Sequence, residues 1–326
     1  MTTSTKSNFI LYDEQFYAGQ VETLQRNVNI FNAASGNTIS MSSEMSQGDF
    51  EKESFFKNNS YIYHRDPTSV SDQTAVGLSM DDATAPKINK GYLVESTLDS
   101  FKKLGEDDRE MSFVLGQQLG LQIMDQYMSS ALSALVGGFG VAAVSADLRH
   151  DASSGAISSA HLNTAISKMG DAGSRVTMLV MHSKPYYDLI GDQIAEKLLE
   201  VTAFNLFQGT PATFGRPVLV VDAPALWTGG SSTASSADDV YHTFGLVQGA
   251  LNIKESEDKS SLGEVVGGKH NLIARVQGEY AYNTRMKGMD YTGAANPADS
   301  VLATSSNWAK VAADKRSLMG VDLLTR

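Results

Sequence analysis

The sequence predicts an α+β fold in which one long helix and one long, one-sided strand frame a central α/β block. Three patterns carry that expectation. Val114, Leu121, Met124, Met128, Leu132 and Leu135 fall at helical steps along a stretch free of proline. Val176 to Met181 and Val218 to Val221 are unbroken apolar runs of the kind that form strands buried on both faces. Leu272 to Asn283 alternates, with Leu272, Ala274, Val276, Gly278, Tyr280 and Tyr282 on one face and Arg275, Gln277 and Glu279 on the other.

From Met1 to about Gln47 the chain is polar, and Phe16, Tyr17, Val21, Leu24, Val28, Ile30 and Phe31 outline one helix within an otherwise arm-like segment. Between Met41 and Lys90, the turn-rich stretches 57–60 and 66–69 bracket the aromatic alternation Tyr61, Ile62, Tyr63, which reads as a two-stranded excursion. A lone hairpin is marginal in water, so this one lies either on its own domain or on a neighbouring copy of the chain. Glu106, Asp107 and Asp108 place carboxylates where a helix N-terminus favours them. The long helix is therefore expected over 106–136, about 45 Å of rod, with Gly137 and Gly138 as its stop.

Leu162 to Met169 reads as a shorter helix. Ser183 is placed to cap another, with Pro185 in its first turn and Tyr186, Leu189, Ile190, Ile194, Leu198 and Val201 on its buried face. The Gly/Ser/Thr/Ala tract from Trp227 to Asp239 is expected to be a rim loop, followed by a strand from Tyr241 to Val247.

The 326 residues carry 26 Lys and Arg against 37 Asp and Glu, a formal charge of -11 that repels phosphate backbones and anionic lipid. The densest basic group, Lys310 with Lys315 and Arg316, fits a solvated helix face. With no cysteine, disulfides, thiolate nucleophiles and Cys-ligated metals are excluded. Met1 to Phe9 lacks the apolar core of a secretory signal, and no window nears the ~18 apolar residues of a membrane span, so a soluble protein made in the cytosol is expected.

The histidines at 64, 150, 161, 182, 242 and 270 have no zinc-ligand spacing. His182, after a buried strand and near Ser183 and Asp188, is the best single catalytic candidate, yet no G-x-S-x-G elbow surrounds it and a structural role is expected. The glycine pairs lack the contexts that cradle phosphate, and Asp81-Asp82 and Asp238-Asp239 lack the spacing of a calcium loop. No catalytic, metal or cofactor-binding residue is assigned.

The order of these parts resembles the major capsid proteins of tailed bacteriophages with the Hong Kong 97-type fold. The likeness runs along nearly the whole chain. It rests on the strand-then-helix Val176 to Leu189, the later strand Arg216 to Asp222 and the returning strand Leu272 to Asn283. The resemblance implies an N-terminal arm over 1–40, an extended E-loop over 41–85, a peripheral domain over 86–139 with its spine helix at 106–136, an axial domain over 140–269, and a peripheral return with a C-terminal segment over 270–326.

It further implies a non-enzymatic shell of pentamers and hexamers enclosing double-stranded DNA without reading its sequence, assembled in the host cytoplasm and ending in the virion. The arm is too short for a built-in scaffold, which implies a separate scaffolding protein. A portal protein and a cement or decoration protein are the other expected partners. Phe50, Phe55, Phe56, Tyr61 and Tyr63 are the expected aromatic anchors between subunits, and Arg65 and Asp66 the ion-pairing residues that fix register. Two alternatives stay open at this point: an encapsulin-like compartment and an unrecognised α/β enzyme.

Overall fold

The computed structural model describes residues 13–43, 48–56, 62–97, 108–200, 215–229, 239–267, 270–271 and 273–326. In chain order the elements are α1 (Asp13–Ala34), β1 (Ile39–Ser43), β2 (Phe50–Phe56), β3 (Met80–Thr97), α2 (Asp108–Gly140), α3 (Ala142–Leu148), β4 (Arg149–Asp151), α4 (Ser159–Ser167), β5 (Val176–Met181), α5 (Ser183–Glu200), β6 (Val218–Val220), β7 (Trp227–Thr228) and β8 (Val240–Val247). There follow β9 (Leu251–Val266), β10 (Ile273–Met286), β11 (Met289–Tyr291), α6 (Asp299–Leu302), β12 (Trp308–Lys310) and β13 (Gly320–Thr325).

Two sheets organise these elements. The first has the order β1-β9-β10-β3-β2, and the second β4-β13-β8-β5-β6 with β7 on β8. β10 carries the expected alternation: Val276, Tyr280 and Tyr282 are buried, while Gln277 and Glu279 face solvent. Leu272 lies outside the described residues. β9 falls inside the block expected to form the α/β domain, yet it pairs antiparallel with β10 along the first sheet. Charges at Lys254, Glu255, Glu257, Asp258 and Lys259 hide it from any apolar-run criterion. β13, from the segment expected to return to the periphery, lies in the second sheet between β4 and β8.

The long helix corrects two expectations. Its N-terminal half buries one face only, so Val114 and Leu121 are exposed, whereas Leu119, Ile123 and Tyr127 point into the core. Its C-terminal half is buried all round, and it runs through Gly137 and Gly138 to Gly140. These glycines admit neighbours instead of stopping the helix: a Cβ on Gly137 would sit 2.1 Å from Leu302 O and 2.7 Å from Trp308 Nε1. At 33 residues the rod is about 50 Å long. α1 lies along it, so close that a Cβ on Gly116 would fall 2.2 Å from Phe16 O. The arm-like segment is thus anchored by its helix, as Phe16 and Leu24 are buried.

Tyrosines join the helix to the first sheet. Tyr127 of α2 meets Tyr282 of β10 edge-on at 4.6 Å and Tyr280 at 6.1 Å. Tyr127 Oη donates to Glu255 Oε1 at 3.2 Å. Tyr282 Oη donates to Ser130 Oγ at 2.7 Å, and Ser130 in turn donates to Asp299 Oδ1 at 2.7 Å. Burial, with Asp299 and Tyr92 nearby, pushes the Tyr280 hydroxyl up from 10.0 to about 12. Burial also raises Tyr127 and Tyr282.

A folded-state pKa above the unfolded one means tighter proton binding in the fold, so this stability is complete below pH ~10 and is lost as pH rises through about 12. Urea midpoints should therefore fall above pH ~10, and Tyr280→Phe should flatten that fall. An unchanged slope in the variant would show that Tyr280 does not contribute to it.

Candidate assembly surface

β2 and β3 pair antiparallel from Phe50 opposite Pro86 to Phe56 opposite Met80. Pro86 sits where β3 leaves β10, a place where the missing N–H removes no bond from the long ladder. The excursion is therefore real, but its strands are not the ones the aromatic alternation indicated. Ile62 and Tyr63 lie in coil beyond the hairpin, and Tyr61 with 57–60 lies outside the described residues. Flanking polar turns hid the true partner strand, Met80–Thr97, which contains a proline, a glycine and several charges.

Residues 62–78 are exposed without exception. Ile62 is 91% exposed, Val70 100% and Leu78 74%, with Tyr63, Val76, Met80 and Phe56 also open. Ile62, Val70 and Leu78 are thus large apolar side chains left open by their own subunit. Of the expected anchors, Phe50 is half-buried against the subunit core, Phe55 is half-buried, and Phe56 and Tyr63 are exposed. Val70, Val76 and Leu78 were not anticipated, because isolated aliphatics in a polar stretch give no periodic signal.

Arg65 and Asp66 are exposed. Asp66 Oδ1 accepts from Thr68 N at 2.9 Å and Thr68 Oγ1 at 2.7 Å, closing the 66–69 turn. Those bonds hold its carboxyl below the ordinary range.

The hairpin base is fixed to the first sheet. Arg285 pairs with Glu53, and Lys254 Nζ donates to Glu51 Oε1 at 3.1 Å. Burial works to raise the Glu51 carboxyl, but hydrogen bonds from Lys254 and Asn283, with the charges of Lys254 and Arg285, hold it below its usual value. Between the hairpin and the 310–317 segment opens a cleft of about 950 Å³, walled by Phe55, Phe56, Met286 and Val311 with Lys287 and Lys315 at its margin.

Elsewhere, His182, His150 and His161 have partners within the fold. His182, not Ser183, caps α5: its Nδ1 accepts from Lys184 N at 3.3 Å, while Asp222 Oδ1 accepts from Ser183 N at 3.0 Å. β6 is an edge strand and only half-buried, because β5 covers one of its sides alone. His150 and His161, eleven positions apart, stand ring to ring at 6.0 Å through tertiary packing that spacing cannot reveal. Burial first, then His161 and Lys168, lowers the His150 pKa. Among the described residues no group of three or more His, Cys, Asp or Glu is placed to hold a metal ion. Nor is any single helix among them long and apolar enough to cross a membrane.

Residues 8–322 match the Gp13-like family, described as major capsid protein 13-like. No curated protein sequence matches the chain. Among solved structures, the acid-stable capsid of Helicobacter pylori bacteriophage KHP30 is similar at 10% identity over 88% of each chain, with a TM-score of 0.53. The capsid of cyanophage Pam1 is similar at 11% identity over 88% of each chain, with a TM-score of 0.52. The capsid of Ralstonia phage GP4 matches at 11% identity, over 88% of this chain and 87% of its own, with a TM-score of 0.50. At such identities the structures establish a shared architecture, the Hong Kong 97-type fold. The sequence match spans nearly the whole chain, and the protein belongs to the Gp13-like major capsid protein family.

Proposed function

We propose that this capsid protein closes an icosahedral shell of pentamers and hexamers around double-stranded DNA, and that the hairpin beyond Phe50 is the grip between subunits. The exposed apolar run 62–80 on a stalk tied down by ion pairs is the observation that carries the reading. Phe55, Phe56, Tyr61 and Tyr63 supply buried area at the contact, and Arg65 and Asp66 set its register. Weak contacts of this kind sum over many copies once subunits are held in a ring.

In this reading α1, α2 and the first sheet form the peripheral domain, and the second sheet with α4 and α5 forms the axial one. A net charge of -11 keeps the inner wall from trapping packaged DNA. The protein is not an enzyme. A separate scaffolding protein, a portal and a decoration protein are its partners, and assembly takes place in the host cytoplasm before the protein enters the virion.

The Ile62→Asp, Leu78→Asp double variant should keep the wild-type circular dichroism spectrum while its assembled fraction drops by about 10-fold or more, since two lost apolar anchors exceed ~1.4 kcal/mol per contact. Sedimentation and negative-stain microscopy read this directly. Wild-type protein that remains monomeric under assembly conditions, or a double variant that forms shells normally, would sink the proposal.

A further inference from the structure

Two imidazoles meet at the edge of the second sheet, where α4 packs over β4. His150 lies on β4, the three-residue edge strand that pairs with β13, and His161 lies in the first turn of α4. Their rings stand 6.0 Å apart, centroid to centroid, at an interplanar angle of 49°. Both residues are half-buried, and His161 Nδ1 is closed off from solvent with no hydrogen-bond partner among the described residues. The N-terminal turn of a helix favours anions, so a positive charge on His161 gains nothing from the helix dipole. Lys168, just past the last turn of α4, adds a third basic group near the pair.

The carboxylates of the surrounding elements are engaged elsewhere. Asp151 of β4 stands next to His150 in the chain, but its Oδ1 accepts from Ser153 N at 3.0 Å and from Ser153 Oγ at 2.6 Å. Asp322 of β13 is held by Arg149 at 2.8 Å, and Asp147 of α3 by Lys310 at 3.2 Å. Asp171, in the turn Gly170–Arg175 that follows α4, is held by Arg316 at 3.0 Å. Arg175 closes that turn with a further cation.

We propose that His150 and His161 form an acid-released latch: uncharged, the two rings hold α4 against β4, and proton uptake by both drives this corner open while the rest of the subunit stays folded. Two imidazoliums at that distance repel each other and Lys168, with only partial screening by water. Burial first, then His161 and Lys168, holds the His150 pKa below 6.5 against the opposing pull of Asp151. The closed corner therefore binds this proton more weakly than the open one, so the latch is at full strength above pH ~6.5 and weakens as pH falls below that value. Opening uncovers Leu162, Ala165 and Ile166, the buried face of α4. A short helix over a short edge strand is the kind of unit that opens locally without unfolding the core. The latch is independent of whether the subunit assembles.

Amide hydrogen exchange of the wild-type chain, read by mass spectrometry at pH ~7 and ~5 and corrected for the intrinsic effect of pH on exchange, tests this. Amides of α4 should exchange about 10-fold faster at the lower pH, while those of β5 keep their protection. His161→Phe retains a ring and removes one charge, so it should abolish most of that acceleration. Lys168→Ala, at a half-buried position, should reduce it by about 3-fold, as expected for a partly screened pair of charges. Protection of α4 that is the same at both pH values in the wild type, loss of protection in β5 to the same degree, or full acceleration in either variant would overturn the proposal. The wild-type comparison and Lys168→Ala decide the matter even where His161→Phe fails to fold.

Discussion

Arg149→Ala should lower the unfolding free energy of the subunit by about 3–5 kcal/mol, the range seen when one partner of a buried ion pair is removed. Asp322 on β13 is fully buried. Its carboxylate accepts from Arg149 Nε of β4 at 2.8 Å and lies 3.1 and 3.2 Å from His242 Nδ1 of β8. Since β13 runs between β4 and β8, the charge is pinned from both sides of the second sheet. Without the guanidinium, a buried carboxylate keeps only the imidazole. The double variant Arg149→Ala, Asp322→Asn should recover part of the loss, because the orphaned charge goes with it. Urea midpoints of dissociated subunits test both statements. A midpoint unmoved by Arg149→Ala would mean that solvent or His242 alone satisfies Asp322.

Gly137→Ala is expected to destabilise by about 3 kcal/mol, at the upper end for an overpacked core. The added methyl would meet Leu302 O and the indole of Trp308, which are themselves joined by a 2.8 Å hydrogen bond from Nε1 to that carbonyl. Either α6 and β12 move off α2 or the helix shifts along its axis, and both break that bond. Gly155→Ala is the matched control, since a Cβ there meets nothing within 4 Å. Thermal unfolding should separate the two by several degrees. Equal melting temperatures would show that the α6–β12 corner yields at little cost.

Periodicity revealed the elements that bury a regular face. β10 and most of α2 were legible because burial repeats every two or 3.6 residues, and β5 because its apolar run is nearly continuous. β3 and β9 were not, for they lie where the first sheet is partly open and charges can stand on the strand: Arg275 bridges Glu95 and Glu264 across it. Sheet membership was also beyond sequence reach. Nothing local in Gly320–Thr325 says that it inserts between β4 and β8, where Asp322 meets Arg149 173 positions away. At the candidate surface, the aromatic residues stand out in the sequence, while the exposure of Val70, Val76 and Leu78 became visible only in the structure. Gly137 looked like a terminator because glycine after an apolar helix usually is one; here a neighbouring carbonyl occupies the space a side chain would fill.

The late position of β13 sets a timetable for the newborn polypeptide. Its two ladder partners, β4 and β8, are both made before it, yet neither gains a mate on that side until residues 320–325 have emerged. The first sheet waits in the same way, because β1 and β3 pair with strands that follow residue 250. Contacts so distant along the chain form slowly. A translating ribosome therefore holds a chain whose apolar residues Ile62, Val70 and Leu78 have emerged while the body that follows is unfinished. Premature encounters would capture half-built molecules, which makes the interval between synthesis of the loop and release of the last strand the period when a holding chaperone has most to do.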